Sequence, residues 1–162
     1  MGFFQNLFES KQTKINKSQL QTLFILAIAD GDIHSREESL LSDYAKEIGL
    51  TFGEVQERVL SKTYWDFARP DSIVYRYAFI FKIYLQMTAD GEVSPREVAY
   101  CKIVAKDYGF PMQIVDDMTS LFGDVDMMQA GLALKAGNKD KSSEWSKYNA
   151  STELLQKMYN VK

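Results

Sequence analysis

The strongest constraint on this chain is a short stretch that it uses twice. Ala29-Asp30-Gly31-Asp32-Ile33-His34-Ser35-Arg36-Glu37 returns sixty positions later as Ala89-Asp90-Gly91-Glu92-Val93-Ser94-Pro95-Arg96-Glu97. Asp32 becomes Glu92 and Ile33 becomes Val93, so charge and apolar character survive where identity does not. Each copy then runs to a second glycine, Gly49 or Gly109, between two apolar residues. A repeat of this length, acidic at one end and helical in pattern, is the one feature of the sequence that could carry chemistry, within a chain whose length fits one domain.

The periodicity around each copy is helical. Leu20, Leu23, Phe24, Ala27 and Ile28 follow the i, i+3, i+4 rule in the segment 17–29. Gly31 closes that helix, because a residue without Cβ takes the left-handed conformation readily. In the second copy, 73–89 also alternates like a strand, but its length decides for helix. Being apolar on nearly every side, it is expected to be the central buried helix. A second helix follows each acidic stretch, over 35–48 and 94–108, and a third over 52–61 and 112–122, with Pro111 suited to a first turn.

The expected fold is therefore all-α, a bundle of about seven helices on an internal pseudo-two-fold repeat of three-helix units. Residues 1–16 form an N-terminal amphipathic arm and 17–136 the helical domain, with repeats 17–61 and 73–122. A C-terminal polar loop and docking helix take 137–162. Arg69-Pro70-Asp71 turns the chain between the repeats, and a further helix is expected over 127–135.

At 162 residues the chain is long enough to bury about two-thirds of its unfolded surface. A net charge of -3 disfavours nucleic acid, whose phosphates call for a basic stripe. The single cysteine, Cys101, excludes an internal disulfide framework, reads as a core thiol and points to a reducing cytoplasm. Phe3, Phe4, Leu7 and Phe8, followed by Lys11, Lys14 and Lys17, outline an amphipathic arm. It could pack in a groove of this domain or of a partner, or lie on anionic lipid at the inner face of a membrane.

The acidic stretches admit two readings. Ser94, Pro95 and Glu97 form a capping box, with Val93 and Val98 as a staple, and His34 or Ser35 begins the equivalent helix in the first copy with Glu37 or Glu38 in the partner place. Asp30 and Asp90 end helices, where the carbonyl dipole opposes an anion. A bound cation would relieve that conflict, as would an Asx-turn or the next helix's amino end. If a metal binds, Asp30, Asp32, Glu37, Asp90, Glu92 and Glu97 are the ligands, and their oxygens suit calcium, magnesium or manganese. The spacing is not that of an EF-hand. His34, the only histidine, is expected to be solvated, and no nucleophile-base set or phosphate loop suggests catalysis.

The paired Ala-Asp-Gly-acidic-aliphatic stretches, each with a downstream Glu and flanked by helices, resemble the tellurite-resistance TerB family over roughly residues 18–122. The resemblance implies a helical bundle, divalent metal on the six acidic positions just named, and a bacterial stress-response setting. Similar domains in membrane-anchored co-chaperones imply interaction rather than catalysis. The function expected is thus a non-enzymatic adaptor or sensor, metal-responsive through its acidic loops. The alternative is a metal-independent protein-interaction module, membrane-proximal through the aromatic arm.

Overall fold

The computed structural model describes residues 9–29, 31, 33, 35–88, 92–137 and 141–162, and among them it is an all-α bundle of eight helices. These are α1 Lys11–Ile28, α2 Ser35–Glu47, α3 Phe52–Leu60, α4 Ile73–Thr88, α5 Pro95–Asp107, α6 Gln113–Phe122, α7 Met127–Lys135 and α8 Ser143–Met158. The chain divides into two compact units, Met1–Cys101 and Lys102–Lys162, with α5 running across the division.

Helix ends follow local chemistry. The Ser10 hydroxyl accepts from the Thr13 amide at 3.1 Å and starts α1 at Lys11, six residues before the expected Lys17. Lys11, Lys14 and Lys17 therefore lie in α1. A capping box opens α3: the Thr51 amide donates to Glu54 Oε2 at 2.7 Å, and the Glu54 amide donates to Thr51 Oγ1 at 3.2 Å. The expected box on α5 is present too, with Ser94 N to Glu97 Oε2 at 2.8 Å and Glu97 N to Ser94 Oγ at 3.2 Å. Val93 remains exposed beside it. Pro111 sits just before α6, where the Ile114 amide bonds its carbonyl at 3.1 Å.

The helices after the two acidic stretches keep the sixty-residue spacing. α2 and α5 begin at 35 and 95 and end at 47 and 107. Both close on a left-handed glycine, Gly49 at φ +77° and Gly109 at φ +86°. Beyond each, the Leu50 amide bonds the Ala45 carbonyl at 2.9 Å, and the Phe110 amide bonds the Ala105 carbonyl at 2.9 Å. This is the same Schellman-type closure made twice.

In the first unit α1 packs against α2, α3 and α4, and α2 packs on α3. The central helix is thus α1, not α4 as its apolar sequence implied. On α4, Tyr77, Ile80, Ile83, Tyr84 and Met87 are buried, while Ile73, Val74 and Tyr75 face outward. On α1, buried positions lie all round, and they include Lys17, Ser18 and Gln21 as well as Leu20, Leu23, Phe24 and Leu26. Those polar residues conceal the burial from a hydrophobicity pattern. Phe24 and Leu26 each contribute about 1.5–3 kcal/mol by leaving water.

In the second unit α8 packs on α6 and α7. It runs antiparallel to α6: Tyr148 meets Phe122, Ser151 Oγ donates to the Leu121 carbonyl at 2.7 Å, and the Tyr159 hydroxyl donates to Asp117. Glu144 accepts from the Asp126 amide at 2.7 Å, so the start of α8 is tied to the start of α7.

No helix among the described residues is long and apolar enough to cross a membrane. The most apolar, α4, has 16 residues and carries Arg76 and Lys82; it spans about 24 Å against the roughly 30 Å of a bilayer core. The expected association with the inner face of a membrane is corrected accordingly. Of the arm 1–16 that suggested it, residues 1–8, which carry Phe3, Phe4, Leu7 and Phe8, lie outside the described residues.

Candidate functional site

The structure sorts the six acidic positions unevenly. Asp30, Asp32 and Asp90, with His34, lie outside the described residues. Glu97 is buried, at 5% exposure, and its carboxylate caps α5 through the Ser94 amide. Glu37 lies half-buried in the first turn of α2, and Glu92 is exposed just before α5. Among the described residues no group of three or more His, Cys, Asp or Glu side chains is placed to hold a metal ion. Cys101 is a buried free thiol, and burial pushes its pKa up to about 12, as a core cysteine requires.

A different constellation forms on the first unit. Between α3 and α4 the chain runs without helix from residue 61 to 72, and α1 holds this strap with side chains. The Trp65 amide donates to Gln21 Oε1 at 2.7 Å, and Gln21 Nε2 donates to the Trp65 carbonyl at 3.4 Å. Three residues on, the Ala68 amide donates to Ser18 Oγ at 3.1 Å. Near one end the Thr63 amide donates to the Arg58 carbonyl, and Arg58 Nη1 donates to the Thr63 carbonyl, both at 2.9 Å. At the other end Lys11 pairs with Asp71. Buried Ser18 and Gln21 therefore give the strap the backbone partners that a neighbouring strand would supply elsewhere.

The Trp65 ring is met by two cations. Arg58 Cζ lies 4.6 Å and Lys17 Nζ 5.7 Å from its centroid, both within cation–π range. Lys17 is paired with Glu9 and is almost enclosed, its side chain 6% exposed. With Tyr64, Asp66 and Lys14, these groups line a cleft of about 280 Å³. Tyr64 and Phe67, on either side of Trp65, are 49% and 56% exposed. Binding chemistry is what this set offers: cations, aromatic faces and a fixed backbone.

Lys17 was expected only as part of the amphipathic arm, and Ser18, Gln21, Arg58 and Trp65 were expected in no functional role. Two signals were available: three aromatics, Tyr64, Trp65 and Phe67, inside an interhelical connection, and polar residues at core-facing positions of an apolar helix.

No family model, no curated protein and no solved structure matches this chain. The resemblance to the TerB family gains no support from these comparisons, and no metal-ligating cluster appears among the described residues. The description as a TerB-like, tellurite-resistance, metal-binding protein is therefore corrected to the part that stands, an all-α helical bundle.

Proposed function

We propose that this chain is a non-enzymatic, metal-independent protein-interaction module whose contact surface centres on the strap between α3 and α4. The observation carrying this reading is the contrast within three residues. Trp65 is fixed through both of its backbone groups, while Tyr64 and Phe67 beside it keep about half of their surface exposed. Exposed aromatics on a pre-ordered backbone lose little entropy on binding, and aromatic residues are enriched at interface cores.

Crosslinking tests the proposal. A photoreactive phenylalanine analogue at Phe67 should give a discrete protein adduct in cells, and the same group at Glu153 on α8 should not. Equal labelling from both positions, or none from Phe67, would remove the strap as the contact surface. Melting curves test metal independence: a midpoint raised by calcium, magnesium or manganese in the wild type, but not in Asp30→Asn with Asp90→Asn, would overturn it.

The pseudo-two-fold repeat of three-helix units is also our inference. What supports it is the common spacing of α2 and α5 and the shared closure at Gly49 and Gly109. Matching losses of stability on replacing either glycine are its expected consequence.

A further inference from the structure

We infer that the cleft under Trp65 takes a side-chain carboxylate from an acidic segment of the protein partner, with Glu9 as its internal competitor. The inference rests on the interaction reading above and names the chemistry of the partner at that surface.

The argument begins with Lys17. An ammonium group has three N–H donors. Lys17 is nearly enclosed, yet Glu9 is its one hydrogen-bond acceptor among the described residues. A charged group so far removed from water calls for more than one acceptor. Its spare donors border a cleft that Arg58 and Lys14 also line. The Lys14 side chain makes no hydrogen bond or ion pair among the described residues, and Arg58 commits one N–H, to the Thr63 carbonyl. Donors on three side chains thus surround one hollow.

Charge and size select the ligand. Lys14, Lys17 and Arg58 against Glu9 and Asp66 leave the lining one positive charge in excess, which one carboxylate balances. A phosphate dianion would face the two acidic groups with a larger charge. An adjoining hollow that shares Lys17, Arg58 and Trp65 adds Glu54, whose carboxylate is held by Thr51, and Glu57, so extra negative charge is disfavoured there too. At about 280 Å³ the cleft lies just under the 300–1,000 Å³ range of small-molecule sites, and it suits a side chain better than a whole cofactor. Tyr64 and Trp65 supply flat apolar surface for the residues beside the carboxylate.

Glu9 already places a carboxylate on Lys17 from within the chain. A partner's acid therefore competes with it or adds to it, and removing the Glu9 charge strengthens binding.

The test is an NMR titration of the full chain, following the indole N–H signals of Trp65 and Trp145. Trp145 lies in the second unit and serves as the internal control. The probes are the blocked tetrapeptide acetyl-Leu-Glu-Leu-Glu-amide, its Gln counterpart, and inorganic phosphate. The acidic peptide should shift Trp65 saturably and leave Trp145 in place. Binding should weaken about tenfold for the Gln peptide and for Arg58→Gln, the loss of one charge-assisted hydrogen bond. Lys14→Ala, at an exposed position that does not threaten folding, should weaken it as well, and Glu9→Gln should tighten it. Equal shifts by the Gln peptide, phosphate binding as tightly as the acidic peptide, or unchanged affinity in both cation variants would overturn the assignment. If the acidic peptide fails while crosslinking at Phe67 captures a partner, the carboxylate site falls and the strap surface stands. A bound peptide without a crosslinked partner gives the reverse.

Discussion

Gln21 holds Trp65 by both of its backbone groups, the amide and the carbonyl. Gln21 Oε1 accepts from the Trp65 amide at 2.7 Å and Gln21 Nε2 donates to the Trp65 carbonyl at 3.4 Å, across 44 residues of sequence. One side-chain amide thereby imitates a strand edge. It joins the central helix to a connection that would otherwise carry unpaired backbone groups over the protein surface.

Removing that grip should loosen the strap before it unfolds the helices. Gln21→Ala is expected to cost about 2–3 kcal/mol, because it deletes two hydrogen bonds and leaves a partly buried amide unpaired. Urea denaturation measures the loss. Hydrogen exchange at Trp65 should accelerate more than at Phe24, and uniform acceleration would mean that Gln21 acts on the core as a whole.

The capping box on α5 gives a second expectation. Ser94→Ala should destabilise by about 1 kcal/mol. Glu97→Gln should cost less, since a glutamine oxygen can accept from the Ser94 amide in the same place. Thermal melts compare the two variants. A Glu97→Gln loss much larger than that of Ser94→Ala would show that the negative charge at 97 matters in itself.

The two glycine closures should respond alike. Gly49→Ala and Gly109→Ala each place a Cβ in the left-handed region, at φ +77° and +86°, and each is expected to cost about 1–2 kcal/mol. Denaturation midpoints of the two variants provide the comparison. A large effect at one site and none at the other would separate the two copies functionally despite their common geometry.

Cys101 links burial to pH. Its folded pKa is raised from 9.0 to about 12 by burial, so the native state holds a proton that the unfolded chain releases earlier. The sign follows: this contribution is fully present below pH about 9 and is lost as pH rises toward 12. Cys101→Ala should flatten that alkaline decline in stability. In the wild type at pH 8, a thiol reagent should react only as fast as the protein opens, and rapid stoichiometric labelling of the native protein would contradict this.

Much of the fold was legible from local pattern. The i, i+3, i+4 apolar spacing marked the segment that forms the greater part of α1, the helix expected over 127–135 stands there as α7, and the Ser94-x-x-Glu97 box stands as the sequence predicted. Gly49 and Gly109 mark helix ends because few other residues tolerate those angles. Within the expected acidic site, Glu97 was legible as a cap, a role that needs only neighbours three residues apart.

The helices, the α5 cap and the glycine closures at Gly49 and Gly109 were thus determined by the sequence itself, since each depends on residues within about one turn of one another. Tertiary structure alone decided that α1 is central and that Lys17, Ser18 and Gln21 are buried. A polar side chain becomes a core residue only when a partner arrives to satisfy it. Here the partners are Glu9 for Lys17, Ala68 for Ser18 and Trp65 for Gln21, the last two 50 and 44 residues away. No local pattern encodes those distances, so the cleft beneath Trp65 came into view only with the fold.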